Sequence, residues 1–141
     1  MADQPVAAEA WEMLRTLFGQ HRRRFLIAAS ELELHPAQAG ALLQLATPLP
    51  MNEVATRLAC DSSNVTGLVD RLEARGLVTR AARPDDRRVK HIVLTPDGQR
   101  VRDRLLDRVG RPPEELRRLS SPEQRQLRDL LRRALGDVPS L

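Results

Sequence analysis

Residues 51–98 read MNEVATRLACDSSNVTGLVDRLEARGLVTRAARPDDRRVKHIVLTPDG, and this stretch decides the fold. Val54, Ala55 and Leu58 recur at i, i+1 and i+4, so a short helix from about Asn52 to Ala59 has one apolar face. Asp61, Ser62 and Ser63 then interrupt the pattern with side chains that accept hydrogen bonds from the free N–H groups of a helix start. A second helix follows, with Val65, Leu68, Val69 and Leu72 as its buried stripe. Ser63, Asn64, Thr66, Gly67, Asp70 and Arg71 are left outside the stripe, a small and polar surface that can approach base edges. Gly76 is the expected left-handed residue that ends this helix, with Leu77 making the accompanying apolar contact.

Beyond it, Leu77 to Arg83 and Val89 to Leu94 are rich in Val, Ile, Leu and Thr, and Pro84, Asp85 and Asp86 between them favour a turn. The pattern predicts a hairpin whose tip gathers Arg83, Arg87, Arg88 and Lys90. Helix, turn, helix and hairpin in this order form a shape that enters a major groove and reaches the minor groove beside it.

RLEARGLVTR, PDDRR and IVLTPDG resemble the wing region of MarR-type winged-helix transcriptional regulators, and VATRLACDSSNVTGLVDRLE is similar to their helix-turn-helix. The Asp-x-Arg wing signature falls on Asp86 and Arg88. The resemblance implies a mainly α (α+β) fold over residues 1–141. Its winged helix-turn-helix lobe would occupy 36–95, and helices at 6–34 and 96–137 would form a dimerisation domain. It also implies that Arg87 and Arg88 enter the minor groove, that Asp86 holds the wing, and that Ser62, Ser63, Asn64 and Thr66 lie on the recognition helix. Arg71, Arg83 and Lys90 complete the expected DNA-binding set, Arg83 and Lys90 by neutralising phosphates. Gly67 departs from the family pattern, in which a longer polar or basic side chain often stands there. Members often bind a small-molecule effector in a cleft beside the dimerisation helices, for which Trp11, His21 and His35 are the candidates.

Charge supports a polyanionic partner independently of the resemblance. Arg71 to Lys90 holds seven basic and three acidic residues, an excess of four that equals the net charge of the whole chain. A patch so placed attracts double-stranded DNA. With one Trp, two Phe and no Tyr, the core must be built from Leu, Val and Ala. The chain's 141 residues suffice for one such core.

The first helix is expected from about Val6 to Leu34, its stripe formed by Trp11, Leu14, Leu17, Phe18, Phe25 and Leu32. Such a face needs a partner helix, which a second copy of the chain supplies. Pro36 opens the next helix, with His35 as a solvent-facing cap and Ala39, Leu42, Leu43 and Leu45 inward. Asn52 is the expected cap of the third helix. Thr95 and Pro96 start a fifth, lined by Val101, Leu105, Leu106 and Val109 and stopped by Gly110, Pro112 and Pro113. After a short turn at 114–119, Ser121-Pro122-Glu123 signals a last helix carrying Leu127, Leu130, Leu131 and Leu135.

Cys60 is assigned to the core as a small hydrophobe, with a redox sensor as the rival reading. One cysteine forms no internal disulfide, no secretory signal is visible, and the longest apolar run is too short for a bilayer, so a cytoplasmic protein is expected. Three scattered histidines and the lack of a phosphate loop or nucleophile elbow give neither an enzyme, a metal site nor a cofactor. The expected function is sequence-specific binding of a pseudo-palindromic operator by a homodimer, with repression as the outcome. The rival class is a winged-helix module whose wing docks an acidic protein.

Overall fold

The computed structural model describes residues 4–83 and 85–136, without the side chains of Gln4 and Ser62. In chain order the elements are α1 (Gln4–Glu31), α2 (Pro36–Gln44), β1 (Leu49–Pro50), α3 (Met51–Leu58), α4 (Ser62–Ala74), β2 (Val78–Ala82) and β3 (Lys90–Leu94). After them come α5 (Pro96–Val109), α6 (Glu114–Arg117) and α7 (Ser121–Leu135). Pro84, one of the expected turn formers, and residue 137, the expected end of the last helical segment, lie outside the described residues. The chain divides into two units, 1–110 and 111–141.

In the first unit a small antiparallel sheet runs in the order β1-β3-β2. Val78 faces Leu94 and Ala82 faces Lys90, so the hairpin is in register from its base to the edge of its tip. The two-residue strand β1, paired through Leu49 with Ile92, was not anticipated, because Thr47-Pro48-Leu49-Pro50 reads locally as a break between helices. Leu42, Leu72, Ile92, Leu105, Val54, Val65, Val69 and Val78 are the largest fully buried side chains. They come from both helices of the helix-turn-helix, both hairpin strands, α2 and α5, so a single aliphatic core fixes all of these elements together.

Three helices end in the same way. After α4, Gly76 has φ +69° and donates to the Glu73 carbonyl at 2.9 Å, while Leu77 donates to the Leu72 carbonyl at 3.0 Å. Ala59 at φ 50° ends α3 with the equivalent pair of bonds, from Ala59 to Thr56 and from Cys60 to Ala55. Glu33 at φ 55° does the same for α1, which therefore stops at Glu31, short of the expected Leu34. Leu34 is turned into the core instead.

Several local expectations are corrected. Asn52 does not cap α3: Pro50 occupies the cap position, held there by β1, and the Asn52 side chain accepts only from its neighbour Glu53. Cys60 is exposed and not in the core, because the left-handed turn at Ala59 carries the chain outward and leaves Val54 and Ala55 to bury that face. The last helix starts at Ser121, as its start signal implies, and Ser120 is its cap. Both the backbone N–H and the hydroxyl of Ser120 donate to Glu123 at 2.7 Å. His35 caps α2 as read, its Nδ1 accepting from Ala37.

In the second unit α6 and α7 are tied through Gln124, whose amide donates to the carbonyls of Leu116 and Leu119. Between them lies an open groove of about 420 Å³, its apolar lining made by Pro112, Leu116, Leu127, Leu131 and Leu135. Leu130 and Leu135 are more than half exposed, as are Trp11 and Phe18 on α1. No described helix is long and apolar enough to cross a membrane.

Candidate nucleic-acid interface

The core stripe of α4 determines what the rest of that helix presents. With Val65, Leu68, Val69 and Leu72 buried, Ser63, Asn64, Thr66 and Arg71 are exposed, and Ser62 opens the helix. Gly67 stands among them with open space where a side chain would be.

The hairpin tip is shaped by Asp86. Its side chain accepts from the Arg88 backbone N–H at 2.9 Å, and its carbonyl accepts from Val89 at 3.3 Å. Arg83 closes the turn by donating its backbone N–H to the Val89 carbonyl. That turn leaves Arg87, Arg88 and Lys90 exposed, and among the described residues none of the three forms an ion pair. Arg83 differs from them: its guanidinium is forked on the Asp85 carboxylate, with contacts of 2.9 and 2.8 Å. Asp85 thus offsets the charge of Arg83, whereas Arg87, Arg88 and Lys90 supply the open positive charge of the tip.

A residue that the sequence reading missed joins the two elements. Arg80, on β2, reaches back to α4 and bonds Asp70 at 2.5 Å and Glu73 at 2.8 Å. Only 23% of its side chain is exposed. The hydrogen bond to Asp70, aided by the charge of Glu73, makes this guanidinium harder still to deprotonate than an ordinary arginine. The clasp ties the hairpin to the helix and pairs two carboxylates of the helix that carries the exposed polar residues. The available signal was the Asp70 and Glu73 pair, three apart on one helical face just before a strand with an arginine.

The far ends of both elements are fixed as well. Arg75 donates to the Glu33 carbonyl at 2.7 Å, and the Thr95 hydroxyl donates to the Gly76 carbonyl at 2.6 Å while accepting from Gly98. Gly98 approaches so closely that a Cβ would lie 1.9 Å from the Leu77 carbonyl oxygen. Of the candidates for an effector cleft, His35 lines a groove of about 430 Å³ beside α4, with Cys60, Asn64, Gly67 and Arg71 among its other walls. Trp11 and His21 do not line it. Among the described residues no cluster of His, Cys, Asp and Glu could hold a metal ion.

Comparison with known proteins gives the same picture. Residues 41–90, which span α3, α4, β2 and the tip, match the family model described as "MarR family". The chain is 31% identical over 132 residues to the transcriptional regulator HosA of Escherichia coli O111:H-, covering 91% of this chain and 96% of that protein. A MarR family protein from Bacillus stearothermophilus superposes with a TM-score of 0.80 at 26% identity, over 95% of this chain and 96% of that one. CouR from Rhodococcus jostii RHA1, solved bound to p-coumaroyl-CoA, superposes with a TM-score of 0.71 at 29% identity, over 98% and 99% of the two chains. An exposed polar helix, a wing built on Asp86 and a near full-length relative agree: the chain belongs to the MarR family of winged-helix transcriptional regulators.

Proposed function

We propose that the protein is a homodimer that binds a pseudo-palindromic duplex operator, placing one α4 in each of two successive major grooves about 34–36 Å apart. The observation that carries this reading is the joint exposure of α4's polar residues and the wing cations, on elements locked together by Arg80. Ser62, Ser63, Asn64 and Thr66 seat the helix and read base edges, and Arg71 meets the backbone beside them. Arg87 and Arg88 enter the flanking minor groove, where an A·T-rich stretch concentrates negative potential. Lys90 neutralises phosphate directly; Arg83 does so by exchanging Asp85 for DNA. Exposed Trp11 and Phe18 on α1, with Leu130 and Leu135 on α7, supply apolar surface for the second copy.

A dimer seated on a promoter excludes polymerase without needing a further contact surface, so repression in the cytoplasm is the outcome assigned. Release by a small molecule is supported by the likeness to CouR, a structure that holds p-coumaroyl-CoA. Cys60 gives a second, compatible means of release, because it is exposed on the groove that α4 lines. Its oxidation would place a polar group in the groove that Asn64 also lines, and Cys60→Ser with an unaltered response to peroxide disproves that route. The main reading is tested by letting the protein select duplexes from its source genome: one enriched motif with two-fold symmetry supports it. Binding of all duplexes alike, or of an acidic protein in preference to DNA, contradicts it.

A further inference from the structure

Gly67 sits in the second turn of α4 and has no need to be glycine for the sake of the protein. A Cβ built there meets nothing within 4 Å, and the residue is not among those with positive φ. Compare Gly98, where a side chain would strike the Leu77 carbonyl, and Gly76, whose φ is +69°. Inside a helix glycine is markedly worse than alanine, because more backbone freedom is lost on folding. At Gly67 that loss is not offset by any packing or turn in the chain.

Its surroundings are a groove on the exposed side of α4. Asn64 and Arg71 stand three residues before and four after, on the same helical face, and all three line one groove. The glycine thus forms a notch between an amide and a guanidinium, with Leu68 and Val65 contributing apolar lining to the same groove. Asn64 matches the paired donor and acceptor of adenine, and the thymine opposite carries its methyl group next to that edge in the major groove.

We propose that Gly67 is a specificity-determining position, at which duplex DNA comes into van der Waals contact with the helix backbone. The inference rests on the DNA-binding reading and deepens it. The contacting group is an apolar carbon of the duplex, either a thymine methyl or a deoxyribose, and any side chain at 67 keeps it out.

Gly67→Ala tests this in the full-length protein, against a duplex that the wild type has selected from a randomised library. Thermal unfolding should shift upward by about 2–3 °C, since alanine strengthens an open helical position. Affinity for the selected duplex should nevertheless fall about tenfold or more, as expected for a methyl group forced into a filled contact. A stabilised variant that binds this duplex as tightly as the wild type overturns the proposal, as does a lowered melting temperature, which would show that the position is not open. Deoxyuridine in place of thymidine identifies the group. A methyl contact predicts that the wild type loses affinity and Gly67→Ala loses little more. A deoxyribose contact predicts that the wild type binds both duplexes alike and the variant binds both poorly. If Arg88→Ala abolishes selection while Gly67→Ala leaves it intact, only this inference fails. If the wild type selects no duplex at all, the DNA-binding reading fails with it.

Discussion

Arg88 illustrates how one residue can serve the site twice. Its backbone N–H is held by the Asp86 carboxylate, and its side chain is exposed without an acidic partner among the described residues. Arg88→Ala should therefore weaken operator binding and reduce the dependence of log affinity on log salt by about one unit for each phosphate it no longer neutralises. Asp86→Ala should weaken binding too, by loosening the tip, while leaving the melting temperature nearly unchanged. Anisotropy titrations over a salt series measure both effects. Two backbone positions test the fold instead. Ala59 is held at φ 50°, a region costly for any residue with a Cβ, so Ala59→Gly should stabilise the protein by about 0.5–1 kcal/mol in denaturant titration. Gly98→Ala should cost about 3 kcal/mol, because the new carbon collides with the Leu77 carbonyl and backbone must move.

Among the elements, the clasp from β2 to α4 is predicted to govern function more than stability. Partly exposed ion pairs contribute only about 0–1 kcal/mol each, so Arg80→Ala should lower the unfolding free energy only slightly. It should reduce DNA affinity far more, since it frees the wing and leaves Asp70 and Glu73 unneutralised beside the duplex. Adding Asp70→Asn and Glu73→Gln to Arg80→Ala should recover part of the loss; no recovery would mean that the loss comes from the freed wing and not from the two exposed carboxylates. The start of α7 is sensitive to acid. Hydrogen bonds from the Ser120 hydroxyl and N–H hold the Glu123 carboxyl below the usual range. A depressed carboxylate stabilises the helix at pH values above its unfolded pKa, and that support is lost as pH falls through the folded value. Amide protection at Ser121, Glu123 and Gln124 should fall below about pH 4.3, and Glu123→Gln should remove the dependence.

The helices and the hairpin were legible because their signals are local: the stripe Val65, Leu68, Val69, Leu72, the Gly76 ending and the Thr95-Pro96 start each lie within a few residues. What escaped depends on distant pairing. Strand β1 exists only because Leu49 meets Ile92, and the Pro50 cap follows from it. The Arg80 clasp needs a strand to fold back along a helix. Cys60 was misplaced because an alanine in the left-handed conformation at 59 carries no local signature, unlike the glycine at 76.

For the whole molecule, the question is what two copies do that one cannot. On the proposed reading a single α4 and wing span one half-site, and the salt-dependent attraction of a few arginines is largely indifferent to sequence. Two copies at a fixed spacing multiply the base contacts and demand symmetry in the DNA. The exposed apolar residues of α1 and α7 predict a dimer in sedimentation equilibrium, and Trp11→Glu together with Phe18→Glu should shift it toward monomer. That double variant should lose the preference for a two-fold symmetric duplex while keeping weak, salt-sensitive affinity for any duplex.

The most direct measurement is the affinity of wild type and of Arg87→Ala with Arg88→Ala for a self-selected duplex and a scrambled one, across a series of salt concentrations. The wild type should prefer the selected duplex by at least about a thousandfold at physiological salt, with affinity falling steeply as salt rises. The double variant should show a shallower slope and a much weaker complex. Equal affinity of the wild type for both duplexes, or an identical slope for wild type and variant, would contradict the account.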